Sequence, residues 1–267
     1  MKAAFDFTGA HVCVFGGTSG INLGIAKGFA AAGARVMVAS RSQDKVDAAV
    51  AALQALSTVP GGGGARGAAL DVRDVAAVEA ALAETHAAWG PIDVLISGAA
   101  GNFPAPAMGM SVNAFKAVVD IDLMGTYHVM RAGFARLRQP GACVINISAP
   151  QAQLAMPLQA HVCAAKAGVD LLTQSLALEW GPVGIRVNAI VPGPVRETEG
   201  MARLAPTPEL QAKVDRSVPL RRQAGAEEIA AAALFLASDA ASYVSGVLLP
   251  VDGGWLAGGV PLDLTAP

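Results

Sequence analysis

The segment VFGGTSGINLGIA, residues 14–26, has the glycine spacing that allows a chain to bind phosphate groups. Glycines permit backbone N–H groups to approach a pyrophosphate at the positively polarised N-terminus of a helix, where side chains would obstruct the approach. The segment follows an apolar run and opens a helical pattern, which favours this interpretation over a tight turn without a ligand. The residues expected to contact a dinucleotide here are Gly16, Thr18, Ser19, Gly20 and Ile21.

Arg41 indicates which dinucleotide is bound. The second apolar run ends in VASRS, residues 38–42, which contains no acid to hold a free ribose 2′-hydroxyl. A guanidinium at this point can make a charge-assisted contact with a 2′-phosphate. The pattern therefore favours NADP(H) over NAD(H), with a solvated surface arginine as the alternative.

These residues require a scaffold of alternating strands and helices. Short apolar runs such as HVCVFG and GAALDV alternate with helical patterns over residues 20–32, 43–56 and 75–89, and further apolar runs follow. Such repetition is typical of a parallel sheet covered by helices on both faces. The glycine-rich stretch of residues 57–67 is predicted to be a loop, and no linker divides the chain. We expect a single α/β domain over residues 1–267.

Composition and charge argue against several classes of function. The 267 residues carry a formal net charge of -2, so a basic face for nucleic acid or an anionic membrane has no support. The longest apolar stretches, such as residues 229–237, are far shorter than the roughly 20 residues of a membrane span. Three cysteines and four histidines show neither disulfide nor zinc spacing. With no secretory or peroxisomal signal recognised, we expect a cytoplasmic protein with free thiols and no metal.

Several motifs in a fixed order resemble those of the short-chain dehydrogenase/reductase family over nearly the whole chain. They are GGTSGI, LDV at residues 70–72, SGAAG at residues 97–101, Lys166, VNAIVPGP at residues 187–194 and SYVSGVLLPVDGG at residues 242–254. The resemblance implies a doubly wound, Rossmann-type parallel sheet of seven strands. It also implies a homotetramer formed partly through the last helices, and a substrate lid at about residues 194–222.

The same resemblance implies cofactor contacts for particular residues. Asp71 and Val72 would contact the adenine, Lys166 the ribose, and the backbone after Pro192 the nicotinamide. The other implied cofactor-binding residues are Ala99, Gly101, Gly193, Val195 and Thr198.

The chain departs from the family pattern at three places besides the catalytic tyrosine. The third glycine of the fingerprint is Asn22, so the close packing of helix and strand must accommodate a side chain. The family's NNAG motif reads SGAA at residues 97–100, which removes its first asparagine. The catalytic serine position is Ala149, although Ser148 lies beside it.

The largest departure is the catalytic tyrosine. Lys166 lies in HVCAAKAGVD, and the residue four positions earlier, where the family has tyrosine, is Val162. Residues i and i+4 share one face of a helix, so Val162 lies beside Lys166 and supplies no proton. Reduction of a ketone creates an alkoxide that needs an acid, whereas hydride addition to a conjugated alkene creates an enolate that water can protonate. The loss of tyrosine therefore favours alkene reduction.

A narrower resemblance agrees with that inference. SGAAGNF, SVNAFKAVVDIDLMGT and QAHVCAAKAGVD are similar to segments of the peroxisomal-type 2,4-dienoyl-CoA reductases, which also lack the tyrosine. In that subfamily an aspartate and the lysine activate a water, and Asp122 and Lys166 match those positions. The resemblance implies hydride transfer from NADPH to C5 of a 2,4-dienoyl-CoA, protonation of the α-carbon by water, and a 3-enoyl-CoA product. A solvated or capping carboxylate is the alternative interpretation of Asp122.

The expected substrate contacts are Arg73, Phe103, Ser111, Asn113 and Arg203. The two arginines would contact coenzyme A phosphates and Phe103 an acyl chain, with solvated arginines and a core aromatic as the alternatives. His161 is interpreted as a rim or packing histidine, and a role as an acid is the alternative. Two other functions stay open: a carbonyl reductase that uses water or His161 as its acid, and a catalytically silent NADP(H)-binding subunit.

Overall fold

The computed structural model describes residues 4–56 and 64–258. In this part of the chain, seven strands form one parallel sheet in the order β3-β2-β1-β4-β5-β6-β7. The strands are β1 (His11–Phe15), β2 (Arg35–Ser40), β3 (Gly64–Ala69), β4 (Val94–Ser97), β5 (Cys143–Ile147), β6 (Arg186–Pro192) and β7 (Leu248–Val251). The predicted doubly wound sheet is confirmed. Its strand order reverses between β1 and β4, which is where such folds bind ligands.

Helices cover both faces of the sheet. In the described ranges they are α1 (Gly20–Ala31), α2 (Gln43–Gln54), α3 (Val75–Trp89), α4 (Val112–Val119), α5 (Gly125–Gly133), α6 (Ala160–Trp180), α7 (Glu199–Leu204), α8 (Pro208–Ser217) and α9 (Ala226–Ala237). A π-helical turn at Asp120–Met124 joins α4 to α5. The boundaries predicted for α1, α2 and α3 lie within two residues of those observed. No helix in the described part of the chain has the length and apolar content needed to cross a membrane.

Alternate strand residues build the two halves of the core. Val14 packs on one face with Phe29 of α1, and Phe15 packs on the other face with Leu82 of α3 and Val129 of α5. Burial on both faces explains why the strands appear as nearly continuous apolar runs in the sequence.

The carboxyl ends of the central strands lie at one edge. Phe15, the last residue of β1, is in register with Ala39 of β2 and with Ser97 of β4. The segments that follow these strands therefore meet, and they contain the fingerprint glycines, Arg41 and the SGAAG motif.

The third strand differs from its sequence prediction. The strand was expected at residues 67–72, but β3 begins at Gly64 and ends at Ala69, so Asp71 and Val72 lie in the following loop. Part of the predicted glycine loop is therefore strand, and its residues 57–63 lie outside the described residues. Gly67 has a packing reason, because a Cβ there would lie 2.2 Å from a methyl group of Val46 on α2.

The thiols are free, and two of them are fully buried. Burial raises the pKa of Cys143 to about 11 and raises that of Cys13 further. Cys163 is only partly buried. The buried pair packs as small apolar side chains, which agrees with the absence of disulfide spacing.

Candidate active site

A cavity of about 480 Å³ opens at the carboxyl edge of the sheet. It takes in the loops after each of the strands β1 to β6, together with α7. It brings together most of the residues that the sequence predicted for the site: Gly16, Thr18, Ser19, Gly20, Ile21, Arg41, Asp71, Val72, Ala99, Gly101, Asp122, Lys166, Pro192, Gly193, Thr198 and Arg203. Residues from distant parts of the chain therefore form one site.

The glycine-rich turn has the geometry of an anion site. Gly16 has φ of +77°, and a Cβ there would lie 2.8 Å from the backbone nitrogen of Ala99. Ser19 precedes α1, and its side chain makes no capping hydrogen bond. The first N–H groups of α1 are therefore not capped by a side chain at the cavity wall, as binding of a pyrophosphate requires.

Two of the departures from the family pattern compensate each other. Asn22 is buried where the family has its third glycine, and its Nδ2 donates a hydrogen bond of 2.7 Å to the carbonyl of Gly98. A Cβ on Gly98 would lie 2.4 Å from the Asn22 amide. The asparagine fits because residue 98 has no side chain.

The end of the cavity around Arg41 contains two cations and two acids. Arg41 and Lys45 line it, and Lys45 Nζ lies 2.8 Å from Oε1 of Glu199 on α7. Asp71 accepts two hydrogen bonds from the Arg73 guanidinium, which holds the pKa of Asp71 below its ordinary value. Lys45 and Glu199 were not among the predicted site residues. The position of Lys45, four residues after Arg41 and in the first turn of α2, is a signal that could have identified it.

Asp122 and Lys166 form a buried pair in the wall of the cavity. Asp122 is 1% exposed on the π-helical turn, and its Oδ1 accepts a hydrogen bond of 2.7 Å from the Gly101 N–H. Its Oδ2 lies 3.3 Å from Lys166 Nζ, which also donates to the Ile147 carbonyl at 2.9 Å. Among the described residues, this Oδ2 makes no hydrogen bond. It therefore retains the capacity to accept a hydrogen bond.

The tyrosine position is apolar in structure as well as in sequence. Val162 lines the cavity and packs with Val118 and Ala165. The two tyrosines, Tyr127 and Tyr243, have exposed side chains, and neither belongs to the cavity lining. A tyrosine cannot act as the proton donor in this arrangement.

His161 lies behind the cavity wall. It is fully buried, and its ring centroid lies 4.5 Å from that of Phe103. Desolvation lowers the pKa of His161, although the nearby Phe103 backbone and the charge of Asp122 oppose the shift. Neither ring lines the cavity. The position favours the packing interpretation of His161 and the core-aromatic interpretation of Phe103.

Four further predicted residues lie away from the cavity lining. Ser111 caps α4 by accepting a hydrogen bond from the Ala114 N–H at 3.1 Å, and Asn113 is exposed on the same helix. Arg73 pairs with Asp71, and Val195 is 2% exposed within the core. Of the expected substrate contacts, the cavity contains Arg203 alone; its Nη1 donates to the Asn102 carbonyl at 3.0 Å.

Asp170 is a buried acid one helical turn after Lys166. It is 6% exposed, and neither carboxylate oxygen has a hydrogen bond of good geometry to a described residue. Desolvation raises the pKa of Asp170, while Ser148, Gln153 and the charge of Lys166 oppose the shift. Compared with the unfolded chain, folding therefore shifts this carboxyl group towards its protonated form.

Asp170→Asn should stabilise the protein at neutral pH. Because the pKa is raised on folding, the stability linked to protonation is present below the unfolded pKa and is lost as pH rises through the folded pKa. The Tm of the variant should exceed that of the wild type at pH 7, by about 2–4 °C for each kcal/mol gained, and the difference should shrink towards pH 4. Thermal unfolding at several pH values measures this effect. A difference that does not change with pH would contradict it.

Comparison with known proteins finds a matching family model, two similar enzymes and a similar solved structure. Residues 16–256 match the family model described as enoyl-(acyl carrier protein) reductase. The chain is 44% identical over 248 residues to a (3E)-enoyl-CoA-producing peroxisomal 2,4-dienoyl-CoA reductase of Pongo abelii, covering 91% of this chain and 82% of the relative. It is 39% identical over 250 residues to a probable (2E)-enoyl-CoA-producing 2,4-dienoyl-CoA reductase of Bacillus subtilis, covering 92% and 96%. The solved structure of a short-chain type dehydrogenase/reductase from Mycobacterium ulcerans superposes with a TM-score of 0.92 at 32% identity, covering 97% of this chain and 94% of the other.

Proposed function

Because the chain belongs to the short-chain dehydrogenase/reductase family of oxidoreductases, we propose that it reduces a 2,4-dienoyl-CoA to a 3-enoyl-CoA with NADPH. The observation that carries this proposal is the buried pair of Asp122 and Lys166 beside an apolar residue at the tyrosine position. The names of the relatives at 39–44% identity support the substrate class.

The residues present fit NADPH. The uncapped start of α1 and the left-handed Gly16 fit a pyrophosphate, and Arg41 and Lys45 supply two positive charges for a 2′-phosphate. Lys166 would hold the nicotinamide ribose, and Pro192 and Gly193 would border the ring. When bound, NADPH supplies the hydride.

The chain's own residues would supply the proton. Asp122 Oδ2 and the ammonium group of Lys166, which lie 3.3 Å apart, would both contact one water beside their ion pair, and this water would protonate the α-carbon of the dienolate left by hydride addition at C5. The resulting hydroxide regains a proton from solvent. The positive charge of Lys166 also stabilises the dienolate, since the pair is almost excluded from bulk water. The Gly101 hydrogen bond fixes the orientation of the Asp122 carboxylate.

A panel of thioesters tests the proposal. Purified protein is mixed with NADPH and a 2,4-dienoyl-CoA, a 2-enoyl-CoA or a 3-oxoacyl-CoA, and the loss of NADPH absorbance is followed. We expect rapid oxidation of NADPH in the presence of the dienoyl-CoA. Chromatography should identify the product as a 3-enoyl-CoA. A 2-enoyl product would correct the regiochemistry. Activity with the 3-oxoacyl-CoA alone would favour a carbonyl reductase, and binding without any turnover would favour a silent NADP(H)-binding subunit.

Arg41→Ala should reduce the preference for NADPH over NADH. Loss of a charged hydrogen bond to the 2′-phosphate costs about 1.5–3 kcal/mol, which corresponds to a 10- to 150-fold weaker NADPH affinity. Fluorescence titration with both cofactors measures the two dissociation constants. Arg66→Ala, which removes an exposed arginine that does not line the cavity, is the matched control and should leave both constants unchanged. Equal binding of both cofactors to the wild type would refute the NADPH assignment.

We further propose a homotetramer. Apolar side chains are largely exposed on α4 and α6, at Val112, Leu171 and Leu178, and Tyr243 is fully exposed in the C-terminal segment implied in assembly. Leu171 and Leu178 are seven residues apart on α6 and therefore share one face of the helix, and a contiguous apolar face on a folded surface marks a site of protein association. Light scattering at micromolar concentration should give four times the chain mass, and Leu178→Glu should lower that mass. A monomer mass for the wild type would contradict the proposal.

We also propose a lid segment, a single domain and a cytoplasmic location for this protein. Residues 194–222, which include α7 and α8, would form the lid over the acyl group, and residues 1–267 would form one domain. We predict that the protein is cytoplasmic, although the names of several relatives include the word peroxisomal. Imaging of the tagged chain in its native cells decides between the two compartments.

A further inference from the structure

Glu199 places a negative charge among the cations at the end of the cavity around Arg41. Its Oε1 lies 2.8 Å from Lys45 Nζ, and its Oε2 lies 3.6 Å from Arg203 Nη2. The hydrogen bond and charge of Lys45 are the main reasons that the pKa of Glu199 is lowered, and Arg203 and Arg41 add to the effect. The carboxylate is therefore ionised at neutral pH, and the charges of these three cations stabilise it.

The Lys45–Glu199 ion pair joins two elements that are 154 residues apart in the chain. Lys45 lies in the first turn of α2, directly after the Arg41 loop, and Glu199 is the first residue of α7. Both side chains line the same cavity as Arg41. One of the two cations available to a 2′-phosphate is thus already paired with a carboxylate from the lid segment.

We propose that Glu199 competes with the 2′-phosphate of the cofactor for Lys45, so that NADPH releases α7 from α2 whereas NADH leaves the two joined. The inference rests on the proposed binding of NADPH in this cavity. A phosphate brings more negative charge and more acceptor atoms to Lys45 than a carboxylate does, so the lysine exchanges partners when the phosphate arrives. NADH carries no group there, and the ion pair persists. Glu199 is then a residue that determines cofactor specificity and links it to the lid.

The affinity test uses Glu199→Gln, which removes the charge and keeps the shape. Because exposed ion pairs contribute little, the dissociation constant for NADPH should fall by about two- to fivefold, while that for NADH should not change. In a Lys45→Met background the same substitution should have no effect, since the competition requires the lysine. Glu84→Gln removes another exposed, ion-paired carboxylate, which lies outside the cavity, and should change neither constant.

The lid test compares hydrogen exchange of α7 under saturating NADPH and saturating NADH. Exchange in residues 199–204 should differ between the two cofactors in the wild type and become equal in Glu199→Gln. A Glu199→Gln variant whose NADPH and NADH constants shift together, or whose NADPH affinity stays the same or weakens, would overturn the inference while leaving the proposed function intact. If the wild type binds both cofactors equally, the NADPH assignment and this inference fail together.

Discussion

Asp122→Ala should lower the single-turnover rate of dienoyl-CoA reduction by about 10²–10⁴-fold and leave NADPH affinity nearly unchanged. The Oδ2 atom of Asp122 makes no hydrogen bond among the described residues and lies beside Lys166, so its removal eliminates an acceptor that orients the water. Single-turnover kinetics with preformed protein–NADPH complex isolates the chemical step from product release. The expected loss appears in the rate and not in the dissociation constant for the cofactor.

The control for this substitution is Asp122→Asn. Alanine also removes the acceptor for the Gly101 N–H, which could displace the loop that borders the cavity. Asparagine retains a carbonyl oxygen for that hydrogen bond and lacks the negative charge. If the negative charge activates the water, the single-turnover rate of Asp122→Asn should fall as far as that of Asp122→Ala. Its Tm should stay closer to that of the wild type. An unchanged rate in both variants would remove Asp122 from the mechanism and direct attention to His161 or to bulk water.

The sequence predicted the fold well because the signals for it are local. Apolar strand runs and helical periodicity each extend over a few residues, and the boundaries of α1 through α3 follow from them. β3 was displaced because glycines normally indicate a loop, whereas Gly64 begins the strand and pairs in register with Arg35 of β2. The limit on the prediction is a pairing between distant strands that only the folded chain reveals.

The main parts of the site could also be predicted, because their sequence signals are local as well. The glycine turn, Arg41, Asp122 and Lys166 belong to short motifs with known spacing, and the structure brings them to one cavity. The contact of Asn22 with Gly98 and that of Lys45 with Glu199 join residues 76 and 154 positions apart, so no local pattern records them. Val195 directly follows the VNAIVPGP motif and yet faces the core.

Lys166→Met should reduce both cofactor affinity and turnover. The lysine would hold the ribose, so loss of a charged hydrogen bond should weaken NADPH binding by about 10- to 150-fold. Turnover at saturating NADPH should fall by at least the factor expected for Asp122→Ala, because the water loses its second partner and the dienolate loses a positive charge. Fluorescence titration and single-turnover kinetics measure the two losses separately. Full recovery of the rate at saturating NADPH would limit Lys166 to cofactor binding.

Lys166→Met should also lower the stability of the protein, and a second substitution in the same ion pair controls for this effect. With Lys166 removed, the carboxylate of Asp122 is 1% exposed without a cation beside it, and an uncompensated buried charge costs about 3–5 kcal/mol. The double variant Lys166→Met with Asp122→Asn removes both charges and should regain most of the lost Tm. Its rate should stay as low as that of either single variant, because the residues act on the same water and their effects do not add. A double variant that regains activity together with stability would show that the single substitutions acted through unfolding, and would exclude the pair from proton transfer.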